Sequence, residues 1–209
     1  MLLDTILFVK PIPRANLSPD MLLSAYAQGA FPMTDPDGVT RWYMTDPRGV
    51  LPLDGFHCPR TLRQIVRQRR FEIRISTQFE QTMRGCMTVT RDDRDSSWIS
   101  DELVQAYVKL HEMGFAHSVE AWLDNVLVGG LYGVSIGGAF FGESMFHRVP
   151  NASKVCLVHL VQRLNDRGYA LLDTQMVTGH MTQFGCAHIP APDYLDRLAA
   201  ALQRACTFV

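Results

Sequence analysis

Residues 118–144, SVEAWLDNVLVGGLYGVSIGGAFFGES, decide the fold class of this chain. Apolar and β-branched residues fill the stretch, and turn-forming residues interrupt it at Asp124-Asn125 and again at 135–138. The pattern predicts three antiparallel strands, over residues 118–123, 126–134 and 139–144. An uncharged run of 18 residues lies inside it and reaches the length of a membrane span. Six of those residues are glycine, so a buried hairpin is the better interpretation.

Two helices are predicted before this meander. Ser18 is a helix-capping residue, and the proline and aspartate that follow it are typical of a first helical turn. We therefore expect a helix over residues 18–28. Ser100 caps a later helix, in which apolar residues recur at helical spacing until Gly114 ends it.

The sequence after the meander predicts a helix, a strand and a last helix. Asn151 can cap a long helix that ends before Gly168, and residues 170–173 are a buried strand. Pro192 then opens the final helix. Strands covered by crossing helices make a mixed α+β layer fold.

The region over residues 31–56 is organised differently. It holds four prolines, which cannot support long regular elements, so we expect loops with short strands around Trp42-Tyr43. Periodic sequence begins after it. We therefore divide the chain into a small N-terminal lobe, residues 1–56, and a larger domain, residues 57–209.

Composition limits the possible partners. The chain has 209 residues, 47% of them hydrophobic, and a formal net charge of -1, which argues against a uniformly basic nucleic-acid coat. Any RNA contact must be local. Five cysteines show neither a C-x-x-C pair nor zinc spacing, which favours a reducing, cytoplasmic location. Asp4 interrupts the apolar N-terminus, so a signal peptide is not expected.

Polar side chains close to glycines indicate a site. Residues 142–146, Gly-Glu-Ser-Met-Phe, follow a glycine-rich segment where missing Cβ atoms let a ligand approach the backbone. Glu143 follows a buried apolar run, so its carboxylate needs a partner. The partner is either a cation of the substrate or a buried basic residue such as Lys154. Further on, Asp173-Thr174-Gln175 ends a strand, and its alternation puts Asp173 and Gln175 on one face.

With these motifs the chain resembles a known family, the leucyl/phenylalanyl-tRNA–protein transferases. The likeness runs from about residue 25 to 198 and includes three further motifs, His117-Ser118-Val119-Glu120, Ala152-Ser153-Lys154 and Ile189-Pro190. The resemblance implies an acetyltransferase-like (GNAT-like) larger domain. It implies transfer of Leu or Phe from charged tRNA to the N-terminal amine of proteins that begin with Lys or Arg, which marks them for degradation. Neither a cofactor nor a metal is implied, and neither DNA nor a membrane is a partner.

The resemblance assigns a proton relay to Asp173 and Gln175, in which the carboxylate can orient the carboxamide. We take Glu143, which would help to fix an ammonium or guanidinium, as the third catalytic residue. A tRNA ester is already activated, so no covalent nucleophile is needed, and holding the amine against the ester can supply ~7–11 kcal/mol of the barrier. The alternative for Asp173 is a cap of the following turn.

An apolar pocket for the aminoacyl side chain is also implied. Its lining falls on Leu131, Met145, Leu157, Leu160, Leu164 and Leu172. The three leucines of the long helix are spaced to share one face. Plain core packing is the alternative for each residue taken alone.

Aromatic residues matching those that hold the tRNA 3′ end are Trp42, Tyr43, Trp98 and Tyr107. Base stacking on such rings is worth ~1–3 kcal/mol each and needs no sequence readout. Tyr107 lies on the apolar stripe of its helix, where core packing is the favoured alternative.

A strip of arginines predicts the local RNA contact that the neutral net charge requires. Arg60, Arg63, Arg67 and Arg70 recur every three or four residues, which places them on one side of a helix started by Pro59. Such a strip can bind phosphates. A solvated helix face is the alternative.

Two other functions stay open. A CoA-dependent acyltransferase of the same fold is disfavoured because residues 148–152, Arg-Val-Pro-Asn-Ala, match a pyrophosphate loop poorly. A non-catalytic tRNA-binding relative is disfavoured by the intact Asp173 and Gln175. Ala191 after Ile189-Pro190, where relatives commonly have Arg, departs from the family pattern.

Overall fold

The protein is an α+β fold with two sheets. The computed structural model describes the backbone of residues 5–11 and all of residues 17–88 and 97–209. Within them the strands are β1 (Thr5–Pro11), β2 (Phe31–Thr34), β3 (Thr40–Asp46), β4 (Arg48–Val50), β5 (Glu72–Ile75), β6 (Ala116–Leu123), β7 (Val126–Ile136), β8 (Ala139–His147), β9 (Leu171–Gln175) and β10 (Ala187–Ile189). The helices are α1 (Pro19–Ala27), α2 (Arg60–Arg67), α3 (Phe79–Met87), α4 (Asp101–Glu112), α5 (Ala152–Asp166), α6 (Gly179–Thr182) and α7 (Ala191–Leu202).

The strands form a small and a large sheet. The small sheet is antiparallel and has the order β1-β3-β2. The large sheet has seven strands in the order β10-β4-β9-β8-β7-β6-β5. Its pairs are antiparallel except β8 and β9, which are parallel and are joined through α5. The predicted fold class, an α+β chain with a small N-terminal sheet and a mixed larger sheet, is confirmed.

The predicted meander is confirmed as β6, β7 and β8, and all three strands are longer than expected. Two glycines of β7 are needed where helices pack on it. A Cβ on Gly129 would lie 2.5 Å from the Cβ of Ala152, and one on Gly130 would lie 2.8 Å from Cγ2 of Thr82. The uncharged run is thus a hairpin. In the described part of the chain, no helix is both long and apolar enough to cross a membrane.

Two predicted helix caps are confirmed and one is not. The hydroxyls of Ser18 and Ser100 accept hydrogen bonds from backbone N–H groups in the first turns of α1 and α4, each at 3.3 Å. Asn151 precedes α5, but its side chain makes no capping bond. Its φ is 70°, a left-handed conformation that asparagine tolerates, so it reverses the chain before the helix instead of capping it.

Residues 31–56 contain more strand than expected. Three strands lie there, β2, β3 and β4. Strand β3 is the centre of the small sheet, and β4 joins the large one. Pro32 is accommodated in β2 opposite Trp42, and Pro47 lies between β3 and β4. The division of the chain at residue 56 stays a prediction.

Two apolar clusters cover the two faces of the large sheet. The first holds buried residues of α1, α3, α4 and α7. The second holds those of α2 and α5. Neighbouring strand residues alternate between them, as Phe140 (second) and Phe141 (first) show. The middle of β8 and the end of β9 thereby lie at the centre of the fold.

Candidate active site

Glu143 lies in β8 and receives hydrogen bonds from groups on three other elements. The hydroxyl of Tyr26, from α1, donates to its Oε1 at 2.8 Å. The hydroxyl of Tyr107, from α4, lies 3.5 Å from its Oε2 and also contacts the Tyr26 hydroxyl. The carboxamide of Gln175 donates to Oε1 at 3.3 Å. Lys154, the alternative partner expected from the sequence, is not among these contacts.

The surroundings of Glu143 favour its neutral form. Burial and the nearby negative charge of Asp173 raise its pKa from 4.5 to about 8, although the bonds from Tyr26 and Tyr107 act in the opposite direction. Burial and the carboxylate raise the pKa of both tyrosines well above the ordinary value. Near neutral pH the carboxyl group is thus mostly protonated, and a cation placed beside it would favour release of that proton.

Asp173 is fully buried and forms a bidentate ion pair with Arg48 of β4. The guanidinium donates from Nε to Oδ1 at 2.9 Å and from Nη2 to Oδ2 at 2.6 Å. The hydroxyl of Tyr194, on α7, donates to Oδ2 at 2.7 Å. Since burying two charges costs free energy, these bonds are what keeps the pair in the core.

Gln175 ends β9 with a left-handed backbone, φ 57°. Its N–H donates to Oδ1 of Asp173 at 2.8 Å, and its carbonyl accepts from the Thr45 hydroxyl at 2.9 Å. The expectation that Asp173 orients the carboxamide of Gln175 needs a correction, because Asp173 bonds to the backbone and the carboxamide bonds to Glu143. Asp173 therefore caps the turn that follows it, as the alternative described. The three predicted catalytic residues nevertheless lie next to one another.

The residues predicted for the aminoacyl pocket are mostly core residues in this structure. Five of them are buried in the second apolar cluster, namely Leu131, Leu157, Leu160, Leu164 and Leu172, and Met145 packs against that cluster while partly exposed. The three leucines of α5 share one face as predicted. A cavity of about 280 Å³ opens elsewhere, between β4 and the start of β9, and Leu172 is the predicted pocket residue that lines it. The role of the six predicted residues as an aminoacyl pocket stays a prediction.

The four aromatic residues predicted for the tRNA 3′ end differ in exposure. Trp42 and Trp98 are partly exposed and pack against the first apolar cluster. Tyr43 is mostly buried, and its hydroxyl donates to Oδ2 of Asp35 at 2.5 Å. Tyr107 is fully buried and packs edge-on against Tyr132, which favours the core alternative for its ring. The role of Trp42 and Trp98 at the tRNA 3′ end stays a prediction.

The arginine strip is exposed, but the helix carries only three of its four predicted residues. Arg60, Arg63 and Arg67 are exposed on α2, while Leu62 is buried below them. Arg70 lies beyond the helix, which ends at Arg67 before the left-handed Arg69. Its guanidinium lies 5.6 Å from the ring centre of Phe71. Arg70 is therefore a neighbour of the strip and not a fourth residue on the same helical side.

Three site residues were missed by the sequence analysis, Tyr26, Arg48 and Tyr194. Each is buried and polar, yet its partner lies between 21 and 125 residues away in the chain. Only Arg48, a charged residue between prolines, stands out locally, and nothing in the sequence identifies its partner.

The chain belongs to the leucyl/phenylalanyl-tRNA protein transferase family. The model of that family matches residues 50–199, and the model of its N-terminal domain matches residues 15–46. A leucyl/phenylalanyl-tRNA–protein transferase of Gloeobacter violaceus is 52% identical over 194 residues, covering 92% of this chain and 98% of its own. That of Paramagnetospirillum magneticum is also 52% identical, over 92% of both chains. The family predicted from the motifs is confirmed.

Solved structures show weaker likeness. The L-PGS of Bacillus licheniformis aligns over 96% of this chain and 73% of its own, with 12% identity and a TM-score of 0.49. A GCN5-related N-acetyltransferase-like protein of Streptococcus suis aligns over 81% and 63%, with 14% identity and a TM-score of 0.38. The family assignment rests on the sequence relatives alone.

Proposed function

We propose that this chain transfers Leu or Phe from charged tRNA to the N-terminal amine of proteins that begin with Lys or Arg, as the resemblance implied. The observation that carries the proposal is the meeting of Glu143 and Gln175 at the centre of the fold of a chain that belongs to this family. Marking of the product for degradation and a cytoplasmic location remain parts of this proposal.

The chemistry asks for positioning and proton transfer. The acceptor nitrogen attacks the ester carbonyl, the new C–N bond forms, and the bond to the ribose oxygen breaks. The nitrogen loses one proton and the leaving oxygen gains one. We assign to Gln175 and Glu143 the binding of the acceptor ammonium or amine, because the Gln175 carboxamide lies against Glu143 and carboxamide and carboxyl oxygens are acceptors that an ammonium can use. Asp173 acts behind them through the backbone of Gln175.

The tRNA is held at two surfaces in this proposal. The exposed arginines of α2 contact backbone phosphates, and Trp42 and Trp98 stack with bases near the 3′ end. Because the chain has a net charge of -1, a local strip of this kind is the form that RNA binding must take. The aminoacyl side chain is expected to contact Met145, the partly exposed residue of the predicted lining, because the five leucines are buried in the core.

A transfer assay tests the proposal. Purified protein is mixed with tRNA carrying labelled Leu, Phe, Met or Arg and with peptides beginning with Lys, Arg or Ala. We expect label from Leu or Phe on the Lys and Arg peptides only, and no label from acetyl-CoA. Incorporation from acetyl-CoA alone would support the CoA-dependent acyltransferase, and tRNA binding without any transfer would support the non-catalytic relative.

A further inference from the structure

Besides its ion pair with Asp173, Arg48 has contacts that enclose its whole guanidinium group. It is 1% exposed, and its third donor, Nη1, reaches the carbonyl of Gly29 at 2.9 Å. The guanidinium carbon lies 4.5 Å from the ring centre of Tyr194 and 5.0 Å from that of Phe31. Bonds in its plane and rings beside it leave this cation a single orientation.

That orientation is passed on to Gln175 through one carboxylate. Oδ1 of Asp173 accepts from Arg48 and from the backbone N–H of Gln175, so one oxygen joins the buried cation to the strand end. The left-handed φ of Gln175 is unfavourable for a residue with a Cβ and persists only where the surroundings hold it. The backbone bond supplies part of this restraint, and from this strand end the carboxamide of Gln175 reaches Glu143 at 3.3 Å.

Close packing makes the arrangement specific to its neighbours. Gly49, next to Arg48 in β4, pairs with Gln175, and a Cβ on Gly49 would lie 2.6 Å from the carbonyl carbon of Met176. The Thr45 hydroxyl holds the carbonyl of Gln175 from β3. The strand end thus has backbone contacts on one side and the buried ion pair on the other.

We propose that Arg48 and Tyr194 are positioning residues for the transfer reaction, holding Asp173 so that the carboxamide of Gln175 stays directed at Glu143 and the acceptor amine. This inference rests on the proposed function. Neither side chain touches the substrates; each acts through Asp173. Arginine is needed because lysine would keep the charge but lose the two-pronged bond to the carboxylate.

A double-mutant cycle tests the proposal. Arg48→Lys should lower kcat by about 10- to 100-fold, because small misplacements of reacting groups cost that much, with KM for charged tRNA near wild type. Tyr194→Phe removes one bond to Asp173 and should give a smaller loss of the same kind. In a Gln175→Ala background, Arg48→Lys should lower kcat no further, because the group that it positions is already gone.

The controls separate positioning from stability. Arg74 forms the same two-pronged bond with Glu72 on the surface, at 2.8 and 2.9 Å, so Arg74→Lys should leave kcat unchanged. Thermal unfolding of each variant is measured, and if Arg48→Lys does not fold, Tyr194→Phe replaces it in the cycle. Equal losses of kcat from the Arg48 change with and without Gln175 would overturn the proposal, as would full activity of Gln175→Ala. A wild-type protein that transfers nothing would instead contradict the proposed function.

Discussion

The carboxamide nitrogen of Gln175 lies 3.3 Å from a carboxylate oxygen of Glu143, across the boundary between β9 and β8. Two parallel strands thereby bring an amide and a carboxyl group together although 32 residues separate them in the chain. The carboxamide nitrogen donates to Glu143, so the carboxamide oxygen is the acceptor that this side chain can offer to an incoming amine. The properties of Glu143 decide how that pairing depends on pH.

The pKa of Glu143 predicts how the stability of the protein changes with pH. Because the pKa is raised from 4.5 to about 8 in the fold, the folded state keeps a proton that the unfolded state has lost between these values. The stabilisation is full below pH 4.5 and is lost as the pH rises through 8. Denaturant unfolding should therefore show wild type losing stability relative to Glu143→Gln over that window. The exposed Glu112→Gln is the control, and parallel curves for wild type and Glu143→Gln would refute the expectation.

Removal of the Tyr26 hydroxyl should raise the pKa of Glu143 still further. That hydroxyl donates to the carboxylate and so stabilises its charged form. In Tyr26→Phe, the pH at which the carboxyl group titrates should move upwards, and the transfer rate should reach its plateau at a higher pH. The carboxyl resonance of Glu143 in selectively labelled protein measures this directly, and an unchanged or lower midpoint would count against it.

Removal of charge from α2 should weaken tRNA binding in a salt-dependent way. Arg63→Ala with Arg67→Ala should raise KM for charged tRNA and reduce the slope of log K against log salt by about 0.7–0.9 for each phosphate that the protein no longer neutralises. Turnover at saturating tRNA should hardly change. Arg84→Ala is the control, since that partly exposed arginine is already paired with Glu80 and Asp101. An unchanged salt slope would mean that the strip is only solvated.

Two apolar substitutions separate a substrate pocket from an ordinary core. Leu160 is 1% exposed, so Leu160→Ala should lower the free energy of unfolding by about 2–5 kcal/mol whatever its role. Met145 is partly exposed, so Met145→Ala should cost less stability and instead change the ratio of kcat/KM for Leu-tRNA and Phe-tRNA. If the ratio stays constant while stability falls, Met145 belongs to the core alone.

Stacking on Trp42 predicts a binding effect without a catalytic one. Trp42→Ala should weaken binding of charged tRNA by ~1–3 kcal/mol, while Trp42→Phe, which keeps a ring, should recover most of the loss. Filter binding at fixed salt measures both. Equal losses in the two variants would indicate that the indole packs against the protein and not against a base.

The sequence predicted the elements whose signals are local. The caps at Ser18 and Ser100 and the turns of the meander depend on neighbouring residues, so the helices and strands around them were placed correctly. The end of α2 was misjudged because the left-handed Arg69 carries no marker in its residue type. At the site, Glu143, Asp173 and Gln175 were recognisable from motifs. The pairing of Asp173 with Arg48, 125 residues away, was not, because only the register of β4 on β9 brings them together.

Tyr26 lies on α1, near the start of the chain, whereas Tyr194 lies on α7, near its end. No single segment of the chain therefore contains the polar side chains around Glu143 and Asp173. They come together only while both α1 and α7 are packed in place. A fluctuation that detaches α1 would withdraw a hydroxyl from Glu143 and expose the carboxyl group to water without unfolding the large sheet. Amide hydrogen exchange in α1 would then report directly on how often the site is dismantled, and the lifetime of the active arrangement would be set by the least stable helix that contributes to it.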